Sequence, residues 1–281
     1  MKIREYRNKF IETLTPIYDS GEAESFFYLV LEDQKNLKRI DLALHPEAVL
    51  SGEEVAFWNQ ILEKLKQYIP IQYIIGKTFF FGLEFEVNEN VLIPRPETEE
   101  LVDWILKNNP RNTALKILDI GTGSGCIAIS LAKNLPNAKV YAIDVSEEAL
   151  ATAHKNAKSN NVSVEFLLQN ILETEDLKQQ FDLIVSNPPY VRNLEKEEIK
   201  QNVLDHEPHL ALFVDDHDAL IFYRKITELA KENLTQNGQL YFEINQYLGK
   251  EMMDLLESNG FQQMELRQDI YGNNRMVFGR K

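Results

Sequence analysis

The chain has 281 residues, 44% of them hydrophobic, enough for one large or two modest domains with a true core. A formal charge of −14 argues against a broad nucleic-acid surface, because neutralising phosphates takes clustered Lys and Arg; a protein or small-molecule partner is favoured. The one cysteine, Cys126, excludes an internal disulfide and a thiolate zinc set, which fits a reducing compartment.

Met1-Lys2-Ile3-Arg4-Glu5-Tyr6 carries charges where a signal peptide needs an apolar segment, and no run reaches the ~18 apolar residues of a membrane span. The expectation is a cytoplasmic protein with no membrane attachment. Residues 1–75 read as a small helical domain. Ile3, Tyr6, Phe10, Leu14 and Ile17 form one apolar stripe, and Phe26, Phe27, Leu29, Val30 and Leu31 a second, denser segment. Ser51 and Glu54 make a capping box for a helix carrying Val55, Trp58, Ile61, Leu62 and Leu65, which Pro70 terminates.

Over residues 76–93 the period changes to two: Leu83, Phe85 and Val87 alternate with Glu84 and Glu86, which predicts a linking β-hairpin turning near Gly82. The second domain spans residues 94–281. Pro94-Arg95-Pro96 must be extended, and Glu97-Thr98-Glu99-Glu100 places acidic residues in the first turn of a helix bearing Leu101, Val102, Ile105 and Leu106. A strand, Lys116 to Ile120, then runs into Gly121-Thr122-Gly123-Ser124-Gly125 and a helix from Ile127 to Lys133. Alternate glycines let a ligand approach the backbone closely. Neither a third glycine at Cys126 nor a G-x-x-x-x-G-K follows, which disfavours a dinucleotide cofactor and excludes a P-loop.

The next strand, Val140 to Ile143, ends in Asp144, about twenty residues beyond the glycine loop, where a carboxylate accepts from ribose hydroxyls. The alternative is that Asp144 caps the helix from Glu147 to Asn160. A third strand, Val164 to Leu168, leads to Asn170 and Ile171, placed for an adenine edge and face. Phe181-Asp182-Leu183-Ile184-Val185-Ser186 alternates too little for a half-exposed strand, so it reads as a strand buried on both faces of a parallel sheet. At its carboxyl end stands Asn187-Pro188-Pro189-Tyr190, whose prolines stiffen a platform for the Asn187 amide and the Pro188 carbonyl. Such a platform suits a planar amide or amino group.

Residues 192–209 are polar and charged, and read as a mobile loop; His206 and His209 lack the partners of a metal site, so no metal is proposed. A helix from Phe222 to Leu234 closed by Asn237-Gly238 precedes a buried strand, Gln239 to Ile244. A helix, Lys250 to Ser258, and a hairpin pairing Gln263 to Arg267 with Arg275 to Gly279 close the sheet.

The Gly-x-Gly-x-Gly loop, Asp144 and Asn-Pro-Pro-Tyr together resemble the Rossmann-like S-adenosylmethionine methyltransferases that modify planar nitrogens. Within that group, the runs Gln72 to Gly76, Leu92 to Glu99 and Asp119 to Gly125 are similar to those of the peptide chain release factor glutamine methyltransferases, the HemK/PrmC family. The resemblance covers nearly the whole chain and is most specific from Gln72 to Tyr190. It implies an α/β fold: a Rossmann-like seven-stranded methyltransferase domain, a small N-terminal helical domain that recognises the protein substrate, and the linking hairpin. It implies S-adenosylmethionine held by Gly121, Thr122, Gly123, Ser124, Gly125, Asp144, Asn170, Ile171 and Asn187. The implied reaction methylates the side-chain amide nitrogen, N5, of the glutamine in a release factor's Gly-Gly-Gln motif. From the acidic charge no direct nucleic-acid binding is expected, and the chain is expected to be a monomer. Asn187, Pro188, Pro189 and Tyr190 would grip that glutamine, with Asn187, Pro188 and Tyr190 catalytic and the Tyr190 ring forming one wall. Asn170, where the family usually has Asp, and Gln246-Tyr247-Leu248-Gly249, in place of the usual Gln-Gly pair, depart from its pattern.

A ribosomal protein glutamine methyltransferase would share these features, but Pro-Arg-Pro-Glu-Thr-Glu, without Ser-Pro after Pro-Arg, points to release factors. A nucleic-acid amino-group methyltransferase fits the same tetrapeptide and is opposed by the acidic composition. A nucleoside-sensing scaffold is opposed by the intact Asn187 and Asp144.

Overall fold

The computed structural model describes residues 1–281 and divides into two compact units, Met1–Gly76 with Gln201–His206, and Lys77–Lys200 with Glu207–Lys281. In the first unit, α1 (Ile3–Leu14), α2 (Ser20–Lys35), α3 (Arg39–Leu44), α4 (Gly52–Lys66) and α5 (Ile71–Ile75) enclose a core centred on Tyr6, Phe10, Phe27 and Trp58. Ile3, Tyr6, Phe10 and Leu14 of α1 are buried because their spacing puts them on one face. Ser51 and Glu54 cap α4 reciprocally, each side chain bonding the other's backbone N–H.

The second unit opens with strands β1 (Lys77–Phe80) and β2 (Leu83–Glu86), an antiparallel pair, followed by α6 (Pro96–Asn108). Next come β3 (Lys116–Ile120), α7 (Cys126–Asn134), β4 (Lys139–Asp144), α8 (Glu147–Ser159), β5 (Val164–Leu168) and β6 (Phe181–Ser186). Between β6 and the next long helix lie β7 (Val191–Arg192), a 3₁₀ segment Asn193–Glu198, α9 (Gln201–His206, grouped with the first unit), α10 (His209–Leu212) and β8 (Phe213–Val214). The chain ends with α11 (Ile221–Asn233), β9 (Leu234–Glu243), α12 (Gly249–Ser258), β10 (Gln262–Gln268) and β11 (Asn274–Arg280).

Seven of these strands form one sheet in the order β10-β11-β9-β6-β3-β4-β5, parallel except at β11, which pairs antiparallel with both β9 and β10. Alternate residues feed alternate faces. Ile117, Val140, Ala142, Leu183 and Val185 pack with Leu101 and Trp104 of α6 and Ile127 of α7, whereas Leu118, Tyr141, Ile143 and Ile184 pack with Tyr223 and Ile226 of α11 and Met252 of α12. Both faces are covered, which is why the strands read as continuous apolar runs. From β3 the chain steps outward through β4 to β5, then returns to the other side of β3 as β6. That reversal opens a crevice at the carboxyl ends of these strands.

Two expectations are corrected. Asn237-Gly238 does not close a helix: α11 stops at Asn233, and both residues lie inside β9, where the register against β6 jumps from Phe181↔Leu234 to Leu183↔Gln239. Asn237 takes a φ of 65°, and a Cβ on Gly238 would fall 2.9 Å from the Leu234 Cβ and from the Thr235 carbonyl. Nor are residues 192–209 a plain loop. Glu195, only 5% exposed, accepts hydrogen bonds from the Arg192 N–H and guanidinium and from Asn245 Nδ2, and Glu207, 3% exposed, accepts from the Ile93 N–H at 3.1 Å and Arg95 Nη2 at 2.6 Å. The segment is ordered by buried carboxylates, which leave no apolar periodicity to read.

Candidate active site

The carboxyl ends of β3, β4, β5 and β6 open onto a cavity of about 340 Å³, within the range of small-molecule sites. Gly121, Gly123, Asp144, Asn170, Ile171, Asn187, Pro188 and Pro189 all line it. Gly121 and Gly123 hold φ of 74° and 55°, and no atom lies within 4 Å of where a Cβ would stand at either. A side chain there would be conformationally strained and would take up space beside the cavity. The rest of the glycine loop shapes it from behind. Thr122 donates from its hydroxyl to Asp119 Oδ2 at 2.6 Å, the Ser124 carbonyl accepts from Asn156 Nδ2 at 2.9 Å, and a Cβ on Gly125 would lie 2.8 Å from Ile129 Cδ1.

Asp144 accepts the Gly123 N–H on Oδ2 at 2.8 Å and the Ser146 N–H on Oδ1 at 3.0 Å. It does not cap α8; Ser146 does, its Oγ accepting the Ala149 N–H at 3.1 Å. Both carboxylate oxygens are thus aimed by the backbone and keep acceptor capacity. Asn170 begins the 3₁₀ turn Ile171–Glu173, its Oδ1 accepting the Leu172 N–H at 3.1 Å.

Asn187 donates from Nδ2 to Thr98 Oγ1 at 3.3 Å. Thr98, in the first turn of α6, in turn donates to Glu243 Oε2 at 2.6 Å, and the Tyr190 hydroxyl donates to Glu243 Oε1 at 3.0 Å. Tyr190 is therefore placed differently from the expected wall. It is not among the lining residues, and its ring packs against the core on the α11 side because the buried Glu243 carboxylate draws its hydroxyl inward. Pro188, Pro189, Pro208 and Leu210 supply apolar lining instead.

Thr98 and Glu243 were missed from the sequence as site residues. Glu243 carried a signal, being the one acidic residue in the run Leu240-Tyr241-Phe242-Glu243-Ile244 of an otherwise apolar strand. Burial raises its carboxyl above the ordinary range, opposed by the hydrogen bonds from Thr98 and Tyr190. Burial, then the Glu243 charge, pushes the Tyr190 phenol up, so it stays a donor. At the base of the glycine loop, burial lifts Asp119 to about 7 against the pull of the Thr122 hydroxyl, and Cys126 to about 12. The thiol therefore remains neutral.

The methyltransferase small domain family matches residues 98–210, and the PrmC N-terminal domain family matches residues 5–76. A solved methyltransferase from Pyrococcus furiosus superposes with a TM-score of 0.52 at 21% identity, over 79% of this chain and 98% of that one, a likeness of fold. Fold, crevice and family match together define a Rossmann-like, S-adenosylmethionine-dependent methyltransferase. The release factor glutamine methyltransferase of Flavobacterium psychrophilum is 63% identical over 280 residues, 99% of this chain and 98% of that protein; its counterpart from Bacteroides thetaiotaomicron is 46% identical over 267 residues, 95% of each. The chain belongs to the release factor glutamine methyltransferase family. No helix is long and apolar enough to cross a membrane.

Proposed function

We propose that this chain transfers a methyl group from S-adenosylmethionine to N5 of the glutamine in the Gly-Gly-Gln motif of peptide chain release factors. The observation that carries this reading is that one cavity is lined both by the glycine loop with Asp144 and by Asn187, Pro188 and Pro189. The donor set fits the cofactor: acceptors at Asp144 for ribose hydroxyls, Asn170 and the Ile171 side chain at the adenine end, and side-chain-free backbone at Gly121 and Gly123. Thr122, Ser124 and Gly125 hold the loop in shape. When bound, S-adenosylmethionine supplies an electrophilic methyl group on a sulfonium.

An amide nitrogen is a poor nucleophile because its lone pair is delocalised into the carbonyl. The work of the chain is to orient that nitrogen and to accept its hydrogens as positive charge develops. Asn187 Oδ1 takes one amide hydrogen and the Pro188 carbonyl the other, while Pro189 and Tyr190 hold the platform rigid. Asn187 Oδ1 and the Pro188 carbonyl would hold the amide until one acidified N–H proton passed to water, while the bound cofactor would supply the methyl group and keep the electron pair of the broken carbon–sulfur bond.

The acidic charge of −14 supports a protein substrate without direct nucleic-acid binding, and the single cysteine supports a cytoplasmic setting. We place the protein there as a monomer, with the helical unit of residues 1–75 contributing to substrate recognition. The test is to incubate the protein and S-adenosylmethionine separately with unmodified release factor, ribosomal protein and oligonucleotides, and to locate any added methyl by mass spectrometry. One methyl on the Gly-Gly-Gln glutamine is the expected result. Methylation of either other substrate alone would overturn it.

A further inference from the structure

The amino and carbonyl ends of an Asn side chain are nearly equal in size, so stiff backbone at Asn187-Pro188-Pro189 does not decide which end meets a substrate. With the amino end forward, Asn187 would set a donor against the donors of the substrate amide. Something must select the orientation.

We propose that Glu243, acting through Thr98, is the positioning group that turns the Asn187 carbonyl towards the substrate; this rests on the reading of Asn187 Oδ1 as an acceptor of an amide hydrogen. A carboxylate only accepts, and a hydroxyl has one hydrogen to give. Thr98 gives its hydrogen to Glu243 Oε2 at 2.6 Å, so towards Asn187 it can only accept, and the group 3.3 Å from it is Nδ2. The direction of donation is therefore fixed from Glu243 outwards, and Oδ1 is left for the cavity.

Burial of Thr98 and Glu243 keeps water from competing for the bond between them, while Asn187, which lines the cavity, is half-buried. Thr98 is 2% and Glu243 1% exposed, and Asn187 stands at the end of β6 with Ser186, itself fully buried, donating to the Ile120 carbonyl at 2.7 Å. The buried carboxylate is also hard to account for as packing. Burying a charge is expensive, and Glu243 makes no direct ion pair: the nearby Arg275 charge offsets part of the cost from a distance while its guanidinium bonds Asp269 at 3.1 Å. Its two oxygens are held by two hydroxyls, one reaching Asn187 and the other belonging to Tyr190 of the same tetrapeptide. A neutral apolar residue would fill the same space without that cost, but would leave the platform undirected.

The test uses the full-length protein and unmodified release factor, with kcat, KM and the dissociation constant of S-adenosylhomocysteine measured for each variant. Thr98→Val keeps the shape and removes the acceptor; we expect kcat to fall about tenfold, the size of one lost buried hydrogen bond, with KM and S-adenosylhomocysteine affinity unchanged. Thr98→Ser restores the hydroxyl and should recover most of the loss. Adding Thr98→Val to Asn187→Ala should slow the enzyme no further. Glu243→Gln, near-isosteric, serves as the second variant: it accepts from only one of the two hydroxyls and should lower kcat without moving KM. Wild-type kcat in Thr98→Val beside an impaired Asn187→Ala, or additive losses in the double variant, would overturn the relay alone. A wild-type rate in Asn187→Ala would instead overturn the reading on which it rests.

Discussion

Asn187 and Asp144 sit in the same cavity, and their substitutions should separate cleanly by kinetic signature. Asn187→Ala removes one preorganised acceptor aimed at the reacting amide, so kcat should fall by about 10² to 10³, roughly 2.7 to 4 kcal/mol, with S-adenosylhomocysteine still bound at wild-type affinity. Asp144→Ala removes a carboxylate that the Gly123 and Ser146 N–H groups hold in place. Its S-adenosylhomocysteine dissociation constant should rise roughly tenfold to hundredfold, the equivalent of about 1.5 to 3 kcal/mol, and calorimetry that found no change would take Asp144 out of the site. Asp119 offers a test of pH dependence. Its folded pKa of about 7 lies above the ordinary 3.8, so the folded state holds a proton that the unfolded chain has released, and stability is lost as pH rises between those values. Asp119→Asn lacks that loss. In urea denaturation of the ligand-free protein, the variant should therefore gain on the wild type as pH goes from 5 to 8, by about 3 kcal/mol at most. At this scale Asp144 and Asn187 were legible because glycine loops and Asn-Pro-Pro-Tyr have fixed places relative to their strands. Thr98, on a helix, was not, since its partner lies in a strand far along the chain.

Among the elements, those with apolar periodicity were legible and those anchored by polar groups were not. Helices α1, α2 and α4, strands β3 to β6 and the terminal hairpin follow the spacing of their hydrophobic residues. Residues 192–209 escaped because Glu195 and Glu207 are buried by their hydrogen bonds, and a charged residue in a polar stretch gives no sign of which way it faces. Glu207 joins the start of the Pro208–Leu210 cavity wall to Ile93 and Arg95. Glu207→Ala should accordingly raise hydrogen exchange across residues 207–214 while α11 keeps its protection; unchanged exchange there would show the wall is held by something else. The misplaced Asn237-Gly238 has a different cause. A left-handed Asn before Gly is a common helix terminator, and only the pairing with β6 reveals it as a bulge. Gly238→Ala forces a Cβ against the Leu234 Cβ and the Thr235 carbonyl, both at 2.9 Å, and should destabilise the protein by about 1 to 3 kcal/mol in denaturant titration.

On the scale of the whole molecule, the chemistry-bearing residues all lie in the second unit, and the helical unit has a core of its own. Deleting residues 1–76 should lower turnover of intact release factor while S-adenosylhomocysteine still binds; equal turnover by the truncated and full-length proteins would remove the helical unit from substrate recognition. The relay from Glu243 also bears on how the protein comes to be active during folding. Its links span 145 residues of chain between Thr98 and Glu243 and 89 between Thr98 and Asn187, and Glu243 ends β9, which must pair with β6 before the carboxylate is in place. Such non-local pairings close late, because loop-closure entropy opposes them until the intervening strands are set. A nascent chain that has completed the glycine loop and Asp144 cannot direct Asn187 until β9 has been synthesised and docked. In refolding from denaturant, methyl transfer should return with the docking of β9 and lag behind recovery of the helical signal, so maturation of the catalytic geometry is tied to a late stage of folding.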